Sequence, residues 1–256
     1  TAAEVEYFLG NATPKVFVCD AARAGELAEG AARHGARVLT LNPDGTGDLS
    51  DLAQAATGRV AVADCGPDDL AAFLYTSGTT GRSKGAMLTH RNLLSNAEVL
   101  LDAWHFAAED VLLHALPIFH THGLFVACNL ALLAGARMIW LPAFEAGAVL
   151  DLLPKASVMM GVPTFYTRLL EEARLTPALV GNMRLFVSGS APLLAETHEA
   201  WEARTRHRIL ERYGMTETNM NTSNTYEGER RAGTVGFPLP GGEVRIVVEG
   251  RAVGPE

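Results

Sequence analysis

Cysteine is scarce in this chain: three residues in 256, Cys19, Cys65 and Cys128, stand far apart with no CxxC pair. That usage argues against a disulfide framework and against a zinc site, and it fits a reducing, cytoplasmic setting. Long apolar runs are missing too. No stretch approaches the roughly 18–20 residues of a membrane span, and the start TAAEVEYFLG has neither a basic region nor a signal core. Positive charge is in short supply, with 21 Lys and Arg against 29 Asp and Glu and a formal net charge of −8. A nucleic-acid backbone is therefore a poor partner, and any phosphate must be held by a local device. The chain lacks an initiator Met and stops abruptly at VGPE, which reads as the central piece of a longer protein.

Hydrophobic residues make up 48% of the chain, enough for a large core in one or two domains. Their pattern alternates between helical spacing and short apolar runs. KVFVCD, ARVLTL, VLLHAL, RMIWLP, SVMMGV, RLFVSG and RILERYG read as strands. Helical spacing marks TAAEVEYFLG up to Gly10 and Asn11, AARAGELAEGAARHG, LSDLAQAA, RNLLSNAEVLLDAWHF capped near Thr89, HGLFVACNLALLAGA ended by Gly135, FEAGAVLDLLPKA, PTFYTRLLEEARL and LAETHEAWEARTRH. This alternation predicts an α/β fold, mainly parallel sheet with helices on both faces. Residues 57–68 read as a polar connection, MTETNMNTSN as a loop at a strand's carboxyl end, and EVRIVVEG as the first strand of a more antiparallel subdomain. The expected division is a core region 1–236 and the start of a further β subdomain at 237–256.

The most pointed stretch is LYTSGTTGRSKGAMLTH, residues 74–90, set between the apolar segments AAFLY and GAMLT, which read as buried strands. Thr76, Ser77, Thr79 and Thr80 supply hydroxyls, Gly78, Gly81 and Gly85 let backbone N–H groups approach an anion, and Lys84 adds a mobile charge. It is not a Walker A loop, because the order GxxxxGK followed by Ser or Thr is absent and no helix pattern starts at the lysine. A solvated turn is the plainer reading of its composition.

Three further segments carry chemistry. In ERYGMTET, residues 211–218, a hydroxyl at Thr216 beside a carboxylate at Glu217 can hold a phosphate oxygen and a Mg²⁺ together; the plainer reading is a strand end with polar caps. FVSGSAPL, residues 186–193, is a strand turning into a helix, its small residues suiting close packing or a flat base. PIFHTHG, residues 117–123, carries histidines at i and i+2, which on an extended segment point apart and make a poor metal pair.

Taken together, TSGTTGRSKG, FVSGSAPL and YGMTET resemble, in order and spacing, the adenylate-forming superfamily of acyl-CoA synthetases, luciferases and peptide-synthetase adenylation domains. Ser83 stands where many members carry proline. PIFHTHGLF, GVPTFYTRLL, FVSGSAPLL and ERYGMTETNMNTSN are most similar to the malonyl-CoA synthetase branch. The resemblance covers nearly the whole chain and implies a partial large N-terminal domain. The implied activity is acid–thiol ligation: a malonate-like carboxylate attacks the α-phosphorus of MgATP, pyrophosphate leaves, and the acyl group passes to coenzyme A.

The resemblance also implies roles. Thr76, Ser77, Gly78, Thr79, Thr80, Gly81 and Lys84 would hold the triphosphate, with Thr80 and Glu217 toward Mg²⁺. Gly189, Ser190, Ala191 and Pro192 would form the adenine wall, Tyr213 would stack on the base, Gly214 and Met215 would line the nucleotide site, and Thr216 would touch the α-phosphate. His122 would stand at the mouth of the acyl pocket, without acting as a general base, since a carboxylate nucleophile is already ionised. Thr121, Leu124, Met220 and Asn221 would border the acyl group. Arg168, at i+4 from Thr164 in PTFYTRLLEEARL, would hold the distal carboxylate; the alternative is a surface pair with Glu171 or Glu172. The family's ribose-binding Asp, hinge and C-terminal lysine are expected beyond Glu256, so this segment alone is expected to be inactive. The alternatives are a synthetase for a simple short or medium acid, a peptide-synthetase adenylation domain, and an inactive nucleotide-binding module. Against the second, no acidic residue lies between Pro117 and Cys128 to hold an α-amino group.

Overall fold

The computed structural model describes residues 1–77 and 83–248 and the backbone of 251–253. The chain divides into two compact units, Thr1–Cys65 and Gly66–Glu256. The split falls inside the region 1–236 that the sequence reading treats as one core.

In the first unit, α1 (Ala2–Ala12), β1 (Val16–Cys19), α2 (Ala21–Arg33), β2 (Arg37–Thr40) and α3 (Asp48–Ala55) follow the expected rhythm. α1 runs one turn position past Gly10 and Asn11, and Thr1 caps it by a reciprocal bond with Glu4. The strands pair in parallel, and Leu9, Ala31 and Ala36 form the small core.

The second unit opens with a hairpin of β3 (Leu70–Thr76) and β4 (Lys84–Thr89), paired antiparallel as a two-stranded sheet. The segments read as buried strands are half-exposed instead, Leu88 alone being buried, because this hairpin is not part of the main sheet. Thr89 then caps α4 (His90–Ala103), accepting the Asn92 N–H while the Asn92 side chain accepts its own.

From there the chain alternates as expected. β5 (Val111–His114) leads to a π-helical turn, His122–Cys128, that continues into α5 (Asn129–Ala134) and ends at Gly135 with φ 72. β6 (Arg137–Trp140), α6 (Ala146–Leu152) with a closing 3₁₀ turn, β7 (Val158–Gly161), α7 (Pro163–Leu170), β8 (Leu185–Ser188), α8 (Ala195–Thr205) and β9 (Leu210–Met215) follow. α7 stops at Leu170, short of the helix expected through EEARL.

MTETNMNTSN is not all loop. A turn at 216–218 is followed by β10 (Asn219–Ser223), antiparallel to β9, and β11 (Phe237–Pro238) pairs with β10 in turn. β10 carries polar side chains that are nonetheless buried, because distant residues bond them: Thr121 Oγ1 donates to Asn219 Oδ1 at 2.9 Å and Trp104 Nε1 to Ser223 Oγ at 2.9 Å. β12 (Ile246–Val248) and β13 (Arg251–Val253) form a separate antiparallel pair.

The resulting sheet has the order β11-β10-β9-β8-β7-β5-β6, with β5 to β9 parallel. Strand alternation sends Leu112, Val158, Met160, Leu185 and Val187 into a core under α4 and α5, and Leu113, Met159 and Phe186 into one that includes Val149, Tyr166, Leu169 and Trp201 of α6, α7 and α8. Helices thus cover both faces. The carboxyl ends of β5, β7, β8 and β9 open toward the segments 115–122, 162–163, 189–192 and 216–218, the place where such sheets bind ligands.

Candidate active site

FVSGSAPL and ERYGMTET meet there. A pocket of about 300 Å³ is lined by Ser190, Ala191, Pro192, Glu211, Arg212, Tyr213 and Gly214, among others. Two glycines shape it. A Cβ on Gly189 would lie 2.4 Å from the Arg212 guanidinium carbon, and one on Gly214 would lie 2.1 Å from the Asn219 carbonyl oxygen. Ser190 adopts φ 71, so the chain turns sharply where β8 ends. Small residues and a half-exposed Tyr213 give a flat, narrow slot, which suits a planar base.

A larger pocket of about 710 Å³ is lined by Asn96, Tyr213, Met220, Asn221, Leu239 and the stretch 240–245, among others. Tyr213 borders both spaces.

His122 is buried, and its Nδ1 lies 3.2 Å from Ser190 Oγ, while Nε2 has no partner among the described residues. Burial, reinforced by Arg212 and then by His120 and His114, holds its pKa well below the usual histidine value, so the ring is neutral. The two histidines do not splay apart as on a strand. The segment is already turning helical, and His120 Nδ1 accepts the His122 N–H at 3.2 Å. Leu124, half-buried in the same turn, donates its N–H to the His120 carbonyl at 3.0 Å. A π-helical turn offsets the hydrogen-bond register and is often found at functional sites.

Arg212 is the charge that the sequence reading passed over. It is 3% exposed, no described carboxylate pairs with it, and its Nε and Nη2 have no hydrogen-bond partner among the described residues. Burial pulls its pKa down to about 10, with the Tyr166 phenol partly opposing this, so the group stays cationic at neutral pH. A buried cation without a counter-charge is costly unless an anion arrives. The legible signal was positional: a charged residue inside the strand run LERYGM, two positions from a buried Leu210.

Arg168 lies elsewhere. It is exposed on α7 and stacks over the Phe144 ring at 4.9 Å, and it forms no ion pair with Glu171 or Glu172 among the described residues. On the Thr164 face of α7, where the distal carboxylate is expected to be held, an aromatic from the preceding β6–α6 connection takes the guanidinium.

Of the phosphate-loop residues, Gly78, Thr79, Thr80 and Gly81 lie outside the described residues. Thr76 and Lys84 close the hairpin stem as cross-strand partners, with Thr76 Oγ1 donating to the Lys84 carbonyl at 3.5 Å. The Lys84 and Ser77 side chains are exposed. Thr216 and Glu217 occupy the turn after β9, with Met215 accepting the Thr218 N–H at 3.2 Å, and the Glu217 carboxylate is exposed. No cluster of three metal-binding side chains exists among the described residues. A Mg²⁺ carried by phosphates needs only one or two carboxylates, and Glu217 fits that demand.

Known proteins match this arrangement. The profile of the AMP-binding enzyme family matches residues 1–256. A mitochondrial malonate–CoA ligase of Mus musculus is 38% identical over 264 residues, covering 96% of this chain and 45% of that protein. The ATP-bound crystal structure of MatB from Rhodopseudomonas palustris is 57% identical, with a TM-score of 0.96 over 99% of this chain and 51% of that one. A malonyl-CoA ligase ternary product complex with methylmalonyl-CoA and AMP is 36% identical, with a TM-score of 0.68 over 94% of this chain and 59% of that one. The chain therefore spans about half the length of these relatives.

Proposed function

Because the chain belongs to the AMP-binding enzyme family, we propose that the protein it comes from is an ATP-dependent acyl-CoA synthetase for malonate or a similar small dicarboxylate. The observation that carries the substrate is Arg212: a buried guanidinium with two nitrogens unpartnered among the described residues, next to Gly189 and close enough to His122 to depress its ionisation. A monocarboxylate leaves that charge unpaired, whereas the distal carboxylate of malonate satisfies it with the planar fork that arginine offers. The relatives named for malonate support the same reading.

The reaction follows from positioning. The acid lies with one carboxylate on Arg212 and the other toward His122, whose unpartnered Nε2 offers a neutral polar contact. The slot of Gly189, Ser190, Ala191, Pro192 and Gly214 holds the adenine, with Tyr213 against the base. Lys84 and the loop hydroxyls grip the β and γ phosphates, and Thr216 contacts the α-phosphate. Glu217 would hold Mg²⁺, and the ion would supply charge neutralisation at the α-phosphorus. The ionised carboxylate attacks phosphorus, the acyl-adenylate forms with loss of pyrophosphate, and the thiol of coenzyme A then displaces AMP. The attack on phosphorus needs no protein base, the carboxylate being already ionised, so orientation and charge carry its rate, while the thiol gives up its proton as the thioester forms.

Residues 1–236 are read as part of the adenylating domain and 237–256 as the start of its next β subdomain. The substrates are small molecules. Among the described residues no helix is long and apolar enough to cross a membrane, and the cysteine usage favours a cytoplasmic setting. The test is direct: the intact protein, given ATP, Mg²⁺ and coenzyme A, should form AMP and an acyl thioester with malonate at least tenfold more efficiently than with acetate, as about 1.4 kcal/mol from the extra ion pair would give. Equal rates on both acids would remove the dicarboxylate assignment.

A further inference from the structure

Strand β10 reaches the site with an irregular backbone. Met220 stands opposite Gly214 and Thr222 opposite Tyr213, so Asn221 is an extra residue with no partner on β9. This is a β-bulge, and just before it Asn219 sits at φ 54 in the left-handed region. A bulge breaks the ladder and leaves backbone groups to be satisfied by other means. The Asn221 carbonyl accepts the Leu239 N–H at 2.9 Å. Both Met220 groups are met by one side chain. Asn96, on α4 and 124 residues away, donates from Nδ2 to the Met220 carbonyl at 2.8 Å and accepts the Met220 N–H on Oδ1 at 3.2 Å.

A carboxamide offers donor and acceptor in one plane, so it stands in for a neighbouring strand. Asparagine within a helix is locally unfavourable relative to alanine, so α4 itself gives no reason for it. The same side chain borders the larger pocket beside Met220 and Asn221. Met220 has little room to adjust on its other side, since a Cβ on Gly214 would lie 2.4 Å from the Met220 Cε.

We propose that Asn96 is a positioning residue for acyl selection: by clamping both backbone groups of Met220 it fixes where the Met220 side chain stands, and so how bulky a substituent the acid can carry. The proposal rests on the synthetase reading above. Without the clamp the bulge relaxes, Met220 shifts, and the discrimination between malonate and its methylated homologue weakens.

The test uses the intact protein with Asn96→Ala and Met220→Ala, singly and combined, and Asn96→Asp, which keeps the acceptor for the Met220 N–H and loses the donor. Hydrogen exchange at the Met220 amide, read without substrate, should quicken by about tenfold or more in Asn96→Ala. Unchanged exchange overturns the clamp. The ratio of kcat/KM for methylmalonate over malonate should move by about fivefold in Asn96→Ala, with KM for ATP within about twofold, and should move no further when Asn96→Ala is added to Met220→Ala. Equal losses on both acids, or full additivity, overturn the selectivity role. Should Asn96→Ala fail to fold, Asn96→Leu, which removes both bonds, is read on the same amide and the same ratio, and Asn96→Asp, which keeps the Met220 N–H bonded, on the ratio alone. A parent protein that consumes neither acid sinks the substrate reading, and the clamp is then decided by exchange alone.

Discussion

Gly189 and Arg212 are in such close contact that a methyl group on the first would sit 2.4 Å from the guanidinium carbon of the second. The glycine is therefore required by the arginine: the backbone between β8 and α8 can pass only because nothing projects from it. Gly189→Ala should push the guanidinium aside at an overpacking cost of about 1–3 kcal/mol. The expected result is a KM for malonate raised by about tenfold with a smaller change for ATP. Steady-state kinetics on both substrates check it.

Arg212 itself should separate the acids. Arg212→Leu removes the buried charge and should cost malonate turnover about a hundredfold or more while leaving acetate activity, however low in the parent, unchanged or raised. An equal loss on both acids would place the distal carboxylate elsewhere. Arg168→Leu, by contrast, removes a surface stack on Phe144 and should leave the ratio of the two acids within about twofold.

Lys84 begins β4 with an exposed side chain, at the edge of the loop proposed to hold the triphosphate. Lys84→Ala should lower ATP–pyrophosphate exchange by about tenfold, since a charge-assisted phosphate contact is lost, and leave thermal stability unchanged because the side chain is exposed. Unaltered exchange would sink the assignment.

Glu217 offers the turn after β9 its carboxylate without a described ion-pair partner. Glu217→Gln keeps the shape and removes the charge. The concentration of Mg²⁺ needed for half-maximal rate should rise about tenfold. An unchanged Mg²⁺ dependence would mean that the metal is held by other groups.

Much of the fold was legible because parallel strands covered on both faces read as unbroken apolar runs: VLLH, VMMG and LFVS are buried at every position. β10 was not, since Asn219, Thr222 and Ser223 look like loop residues until Thr121 and Trp104 bond two of them from about 100 residues away. The π-helical turn at His122 leaves no compositional trace, being a matter of hydrogen-bond register. In the site, Ser190 and Tyr213, singled out from two separate motifs, line one pocket. Arg212 stood inside the very motif that drew attention to Thr216 and Glu217, yet what sets it apart is its burial without a partner among the described residues. Asn96 had no signal at all, because its function depends on a bulge formed by a distant strand.

One further relationship concerns stability. Asp110, at the entry to β5, is 4% exposed and accepts Arg184 Nε at 2.7 Å on Oδ1 and Nη2 at 2.5 Å on Oδ2. Ser157 Oγ donates to it at 2.7 Å and the Ala107 N–H at 2.9 Å, so one carboxylate ties β5, β7 and β8 together at their amino ends. Burial disfavours its charge, but the hydrogen bonds from Arg184, Ala107 and Ser157 outweigh burial and hold its pKa below the usual aspartate value. A depressed pKa means that the folded state binds fewer protons than the unfolded one, whose carboxyl titrates near pH ~4. The stabilisation is therefore fully present above that pH and is lost as pH falls through the lower, folded value. Asp110→Asn leaves Arg184 half-buried without its counter-charge and should cost about 3 kcal/mol at pH 7. Denaturant unfolding of parent and variant at pH 7, 4 and 3 should then show the gap between them shrinking below about pH 4, where the unfolded parent's carboxyl takes up protons that the folded one still resists. A gap that stays constant across that range would mean that Asp110 contributes by packing and neutral hydrogen bonds, with no share from its charge.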